Sequence, residues 1–308
     1  MTQTGPWLRV FIAAFFAVIG VAEAQVAPLG SAVQVTHSFN DEPYPSPDGR
    51  RWVFVSAIEG RSQLFLMNSD GSHPTRLLAH AGNDEQPAWS SDGARIAFVS
   101  DASGHSEVYV VGADGAGMMQ VTTEGSSAIH PSWSRDSRRL VYCAQSLDPV
   151  SKAEVFEIFE IEIDRRNRRQ ITRDSGIATY PSWSPDGTLL LFRKIVDKNS
   201  EVFVMNADGT AERNLTRHDA FDGWPSWSPD GRKIAFASNR RANYQIFVMN
   251  ADGSDPQLLT NTEGRATVPR WAPDGSAIYF TNCKKIDLGS DCQILRTDLR
   301  TGAFSPLK

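Results

Sequence analysis

Five of the six histidines and a handful of acids are the residues of this chain that could do chemistry. His37, His80, His105, His130 and His218 precede or follow short apolar runs, and Asp84, Glu85 and Asp222 lie near them in sequence. Imidazole and carboxylate together can ligate a divalent ion, which would activate a water or polarise a substrate. No pair has the tight spacing of a metal motif, so the expectation is scattered surface histidines, no metal and no cofactor. No Gly-x-Ser-x-Gly, His-Glu-x-x-His, phosphate loop or dinucleotide fingerprint occurs. A second group is chemically different. Asp41, Glu42, Asp84, Glu85, His130, Tyr180, Asp222 and Trp224 mix acids with large amphipathic rings, the side chains that anchor partners and draw in cations.

These residues sit at one recurring place. Pro-Ser-Trp-Ser-Pro-Asp-Gly occurs at 181–187 and again at 225–231, and variants of it begin at Pro43, Pro87, Pro131 and Pro269. Four of the five intervals are 44 residues and one is 50. An aromatic follows each leading proline by eleven residues: Phe54, Phe98, Tyr142, Phe192, Phe236 and Phe280. Each closes a short apolar run such as KIAFAS (233–238). A second run follows (QIFVMN, 245–250), then an Asn-x-Asp-Gly-type turn, then a last run ending in Leu-Thr or its like. Proline presets φ, Asp bonds nearby backbone N–H groups and Gly takes positive φ, so these are turns between strands. Helical periodicity is absent. Four short strands per unit of about 40–45 residues, repeated in tandem, predict an all-β chain: a six-bladed β-propeller of four-stranded antiparallel blades. The ring would span 25–308 as one domain.

Trp-Ser-Pro-Asp-Gly and its variants, six copies in register, together with Asn-Ala-Asp-Gly and Leu-Thr resemble the TolB-type propeller repeat over nearly the whole mature chain. The resemblance implies a periplasmic ring with a partner-binding role. It concerns the propeller and not the α/β domain that precedes it in TolB, since about 18 residues, Gln25 to Glu42, separate the expected cleavage site from the first anchor.

Residues present once per unit, Trp89, Trp133, Trp183, Trp227 and Trp271, are expected to pack blade on blade, and Asp48, Asp92, Asp136, Asp186, Asp230 and Asp274 to build turns. Function belongs where the units differ. The residue before each leading proline is Glu42, Gln86, His130, Tyr180, Trp224 or Val268. These six are expected around the channel mouth, on the face that also carries the loop at 144–154 and the Cys283/Cys292 loop. Variable loops on a rigid scaffold are the usual place for binding.

Arg9, the apolar run Val10–Ala22 and Ala22-Glu23-Ala24 read as a signal peptide, 1–24, with Gln25 as the mature start. The protein is thus expected in the periplasm or secreted, without a membrane span after cleavage. Export permits a Cys283–Cys292 disulfide across eight intervening residues, leaving Cys143 as a buried thiol. Ala32–Thr36, Ala303–Leu307 or both could complete the last blade. A net charge of −5 offers no basic surface for nucleic acid. The functional expectation is a monomeric scaffold binding an envelope protein or a glycan. The alternative is a metal-dependent propeller lyase or hydrolase at the channel mouth.

Overall fold

The computed structural model describes residues 32–34, 40–148, 150–174, 176–284 and 292–299. The expected signal peptide, His37 and the segment 303–307 lie outside them.

Every repeat forms a small antiparallel sheet. The first holds β2 (Asn40–Pro45), β3 (Arg51–Ile58), β4 (Arg61–Asn68) and β5 (Thr75–Arg76). The second holds β6 (Asp84–Trp89), β7 (Arg95–Ser100), β8 (Glu107–Gly112) and β9 (Met119–Gln120). The third holds β10 (Ala128–Trp133), β11 (Arg139–Leu147), β12 (Glu154–Glu162) and β13 (Arg168–Gln170). The fourth holds β14 (Ile177–Trp183), β15 (Leu189–Val196), β16 (Asn199–Asn206) and β17 (Arg213–Asn214). The fifth holds β18 (Asp222–Trp227), β19 (Lys233–Arg241), β20 (Asn243–Asn250) and β21 (Gln257–Leu258). The last holds β22 (Arg265–Trp271), β23 (Ala277–Cys283) and β24 (Cys292–Asp298), and its fourth strand is β1 (Ala32–Gln34) from the opposite end of the chain. The N-terminal segment thus pairs in this sheet. The third and fourth units merge into one eight-stranded sheet through a single parallel pairing, Phe156 with Ile177.

The turn chemistry is repeated in detail. Ser46 Oγ donates to Asp48 Oδ1 at 2.6 Å and accepts from the Arg51 N–H at 3.0 Å, while Gly49 takes φ 69°. The Ser46 hydroxyl holds the Asp48 carboxyl below its usual range, with the Arg50 N–H adding to it. In the fourth unit Asp208 accepts the Thr210 N–H at 2.9 Å. Gly209 there has φ 95°, and a Cβ on it would stand 2.9 Å from the Ile171 carbonyl of the preceding unit. Glycine is required here for conformation and for close approach.

Packing joins each unit to the next. Trp89 packs with Val53, Leu64 and Ile96 across the first junction. Trp133 takes the same place with Ala97 and Leu140, Trp183 with Val141 and Leu190, Trp227 with Leu191 and Ile234, and Trp271 with Ala235 and Ile278. At the sixth junction the first unit meets the last: Trp52 lies 3.8 Å from the Tyr279 ring in a cluster with Phe54 and Ala277. The chain is therefore an all-β propeller whose ends meet. The five repeating tryptophans are buried in these seams, and Trp133 and Trp271 donate their indole N–H to Ala88 and Ser226 carbonyls of the preceding units. Inside each unit the aromatic eleven residues after the proline is buried, as Phe98 beside Tyr109 and Phe236 beside Phe247. Burying each such ring contributes about 1.5–3 kcal/mol.

Candidate functional site

The first strand of each unit is interrupted at the same point. Pairing with the second strand shifts register between Asp41 and Tyr44, Glu85 and Ala88, Ile129 and Ser132, Thr179 and Ser182, Gly223 and Ser226, and Thr267 and Arg270. The residue before each proline supplies the bulge. Glu42, Gln86, His130, Tyr180, Trp224 and Val268 all adopt φ between 51° and 56°, a left-handed conformation that L-residues rarely take. Such a bulge turns its side chain out of the strand's normal alternation. Repeated in every unit, it gathers six half-buried side chains around one axis.

Contacts around this ring divide it in two. On one side the bonds are polar. The Gln86 N–H donates to the Glu42 carboxylate, and the His130 N–H donates to Gln86 Oε1 at 2.7 Å. The Glu42 N–H donates to Thr281 Oγ1 at 3.3 Å, closing back onto the last unit. On the other side the contacts are between rings. His130 stacks on Tyr180 with centroids 3.6 Å apart, and Tyr180 is 6.0 Å from Trp224. Phe221 and Tyr244 flank Trp224 at 5.3 and 5.7 Å. The guanidinium of Arg193 lies over Tyr180 and Phe221, and that of Arg270 over Tyr44.

The electrostatics follow from burial. Desolvation drives the His130 imidazole well below its ordinary pKa, with Arg193 and Arg270 adding to the effect, so it is neutral at physiological pH. Burial pushes the Tyr180 hydroxyl up to about 12, against Arg193. Arg193 itself is lowered by burial.

The acidic arc expected at this mouth takes a different form. Asp84 and Asp222 are fully buried. Asp84 pairs with His80 at 2.9 Å, and Asp222 with Arg240 at 2.7 Å. Burial pushes the Asp84 carboxyl up to about 6 and raises Asp222 as well. Both are internal braces of their hairpins. Glu85 is half-buried and accepts the Ser62 hydroxyl at 3.2 Å, and Asp41 occupies the strand position beside Glu42 in β2. The structure brings His130, Tyr180, Trp224 and Glu42 together in one ring and sets Asp84 and Asp222 outside it. The loop expected at 144–154 shrinks to 148–153 because β11 and β12 pair as far as Leu147 with Glu154.

The histidines serve separate roles. His80 and His218 each accept a backbone N–H two residues on through Nδ1, His105 is exposed, and His130 is stacked. Among the described residues no group of three or more His, Cys, Asp or Glu side chains gathers as a metal site. Cys283 and Cys292 face each other in register and are joined by a disulfide, Cα–Cα 4.0 Å, while Cys143 is buried and free.

Sequence reading missed Phe221, Tyr244, Arg193 and Arg270. For the arginines a signal exists when the repeats are aligned by column. Twelve residues after each proline stand Val55, Val99, Cys143, Arg193, Ala237 and Thr281, and one residue after it Tyr44, Ala88, Ser132, Ser182, Ser226 and Arg270. Each column holds one arginine among smaller or uncharged side chains.

Among the described residues no helix is long and apolar enough to cross a membrane. A family model described as the TolB β-propeller domain matches residues 25–155 and 152–307. No curated protein matches the chain in sequence. Solved structures share the fold. A TolB-type protein of Agrobacterium tumefaciens aligns at 20% identity and TM-score 0.67, over 86% of this chain and 96% of that one. TolB of Acinetobacter baumannii aligns at 19% identity and TM-score 0.64, over 86% of this chain and 65% of that one, so this chain spans just under two thirds of its length. An oligogalacturonate lyase of Vibrio parahaemolyticus aligns at 14% identity and TM-score 0.58, over 88% and 92%.

Proposed function

Because the chain belongs to the TolB β-propeller domain family, we propose that it is an exported six-bladed ring that binds an envelope polypeptide at one end of its channel. The end in question carries the loops that differ between units. The observation behind this reading is the half-buried aromatic wall of Tyr180, Trp224, Phe221 and Tyr244, set beside the bulges where each first strand begins. Aromatic side chains held rigidly in partial burial offer large contact area at little entropic cost, the character of binding hot spots. The Cys283–Cys292 disulfide supports export, since such bonds persist in oxidising compartments.

The test begins with crosslinking of the mature protein in envelope extract, followed by affinity measurement with the captured polypeptide. Trp224→Ala should weaken binding by about 2 kcal/mol, roughly 30-fold. Asn206→Ala, in a uniform turn on the opposite face, should leave it unchanged. Equal loss from both, with both folded, would refute the site. The fold shared with an oligogalacturonate lyase motivates a second assay, turnover of oligogalacturonate with and without Mn²⁺. Metal-dependent turnover lost in His130→Ala would replace the binding reading with a catalytic one.

A further inference from the structure

The inner wall carries two cations that the fold does not neutralise. Arg193 and Arg270 form no ion pair among the described residues, and the Nε of each is buried without a hydrogen-bond partner. Other polar atoms nearby are in the same condition: His130 Nδ1, Thr179 Oγ1 and Ser182 Oγ. Thr179 stands opposite Arg193 in the strand register, Ser182 belongs to the same inner strand, and His130 is stacked on the Tyr180 ring over which Arg193 lies. Buried polar atoms are nearly always satisfied, so a cluster of unsatisfied ones around two half-buried guanidinium groups points to a ligand.

The position of Arg193 is built rather than incidental. Its stem passes Gly223 of the next unit, where a Cβ would stand 3.2 Å from Arg193 Cδ and 2.7 Å from the Phe221 ring. The aromatic faces of Tyr180 and Phe221 then hold the guanidinium. Other ionisable groups in the molecule have an oppositely charged or ionisable partner: His80 pairs with Asp84, Arg240 with Asp222, and Arg139 and Arg169 with Glu160.

We propose that the channel binds an oxyanion, a carboxylate or phosphate group, with Arg193 as its principal donor and Arg270 and Ser182 as further donors. The guanidinium offers parallel N–H groups that match two oxygens of such a group. His130, uncharged at neutral pH, can donate or accept through Nδ1 according to its tautomer. The inference does not rest on polypeptide docking, although Tyr180 and Phe221 belong to both sites.

Isothermal titration of the mature protein with phosphate, acetate and citrate, at constant ionic strength in chloride, tests it. At least one should bind saturably with a Kd tighter than about 1 mM. Arg193→Gln and Arg270→Gln should each weaken that binding tenfold or more, and Arg213→Gln on the outer strand β17 should not. Preference for phosphate over both carboxylates, or the reverse, identifies the source of the anion. Thermal melting gives a second readout. Without anion Arg193→Gln should melt higher than the wild type, because a partly desolvated cation with no anionic partner among the described residues is gone, and added anion should no longer raise its melting temperature. Should Arg193→Gln fail to fold, Arg270→Gln, on a different sheet, carries both measurements. Absence of saturation with all three anions, or identical titrations of the wild type and the folded arginine variants, overturns the proposal.

Discussion

His130 is held neutral by its surroundings, and that has a sign in the stability of the fold. Its folded pKa is depressed, by burial first and then by Arg193 and Arg270. The unfolded chain therefore takes up a proton near pH 6.5 that the folded one refuses, and the stability present above that pH is lost as the solution becomes more acidic. Asp84 works the other way. Its carboxyl is raised to about 6 by burial, so its contribution is full below the unfolded value and lost as pH rises through about 6. His130→Gln removes the first effect and leaves the second. Melting temperatures of the wild type and this variant at about pH 7.5 and about pH 5 should show a smaller acid-side loss in the variant, by a few degrees. The burial of Asp84 and Asp222 is a residue-scale lesson. A carboxylate read in a loop carries no record of its partner, and the partners here are His80 four residues back and Arg240 across a hairpin.

At the scale of the strand and its turn, most of the structure was legible. Pro-Asp-Gly and Asn-Ala-Asp-Gly specify φ locally, so the four-strand unit is written in residues that can adopt nothing else cheaply. The bulges were not legible, because no residue type announces them: Glu, Gln, His, Tyr, Trp and Val all accept φ near 50° there. What imposes that conformation is the ring itself, through bonds such as His130 N–H to Gln86 spanning 44 residues. Gly209 shows the opposite case, an element fixed by one residue. Gly209→Ala should destabilise by about 1–3 kcal/mol, since the new Cβ meets both positive φ and the Ile171 carbonyl. Chemical denaturation should show a lower midpoint with an unchanged slope. The hairpin of β23 and β24 invites a parallel test. Cys283→Ser/Cys292→Ser should lose about 2–3 kcal/mol if the chain-entropy account of a short closed loop holds.

For the molecule as a whole, the decisive contact is β1 on β24, since it ties the two ends of the chain into one sheet. Deleting residues 25–34 should lower the melting temperature and leave the other sheets paired, which circular dichroism and thermal melting would register together. Cys143 then acquires a use unrelated to any ligand. It is fully buried in the inner wall, free, and its thiol is pushed far up in pKa by desolvation. A thiol in that state cannot meet a reagent until the sheets part around it. The rate at which an aromatic disulfide reagent labels Cys143 in native buffer is consequently a clock for spontaneous breathing of the closed protein. That clock should run faster in the 25–34 deletion than in the intact chain.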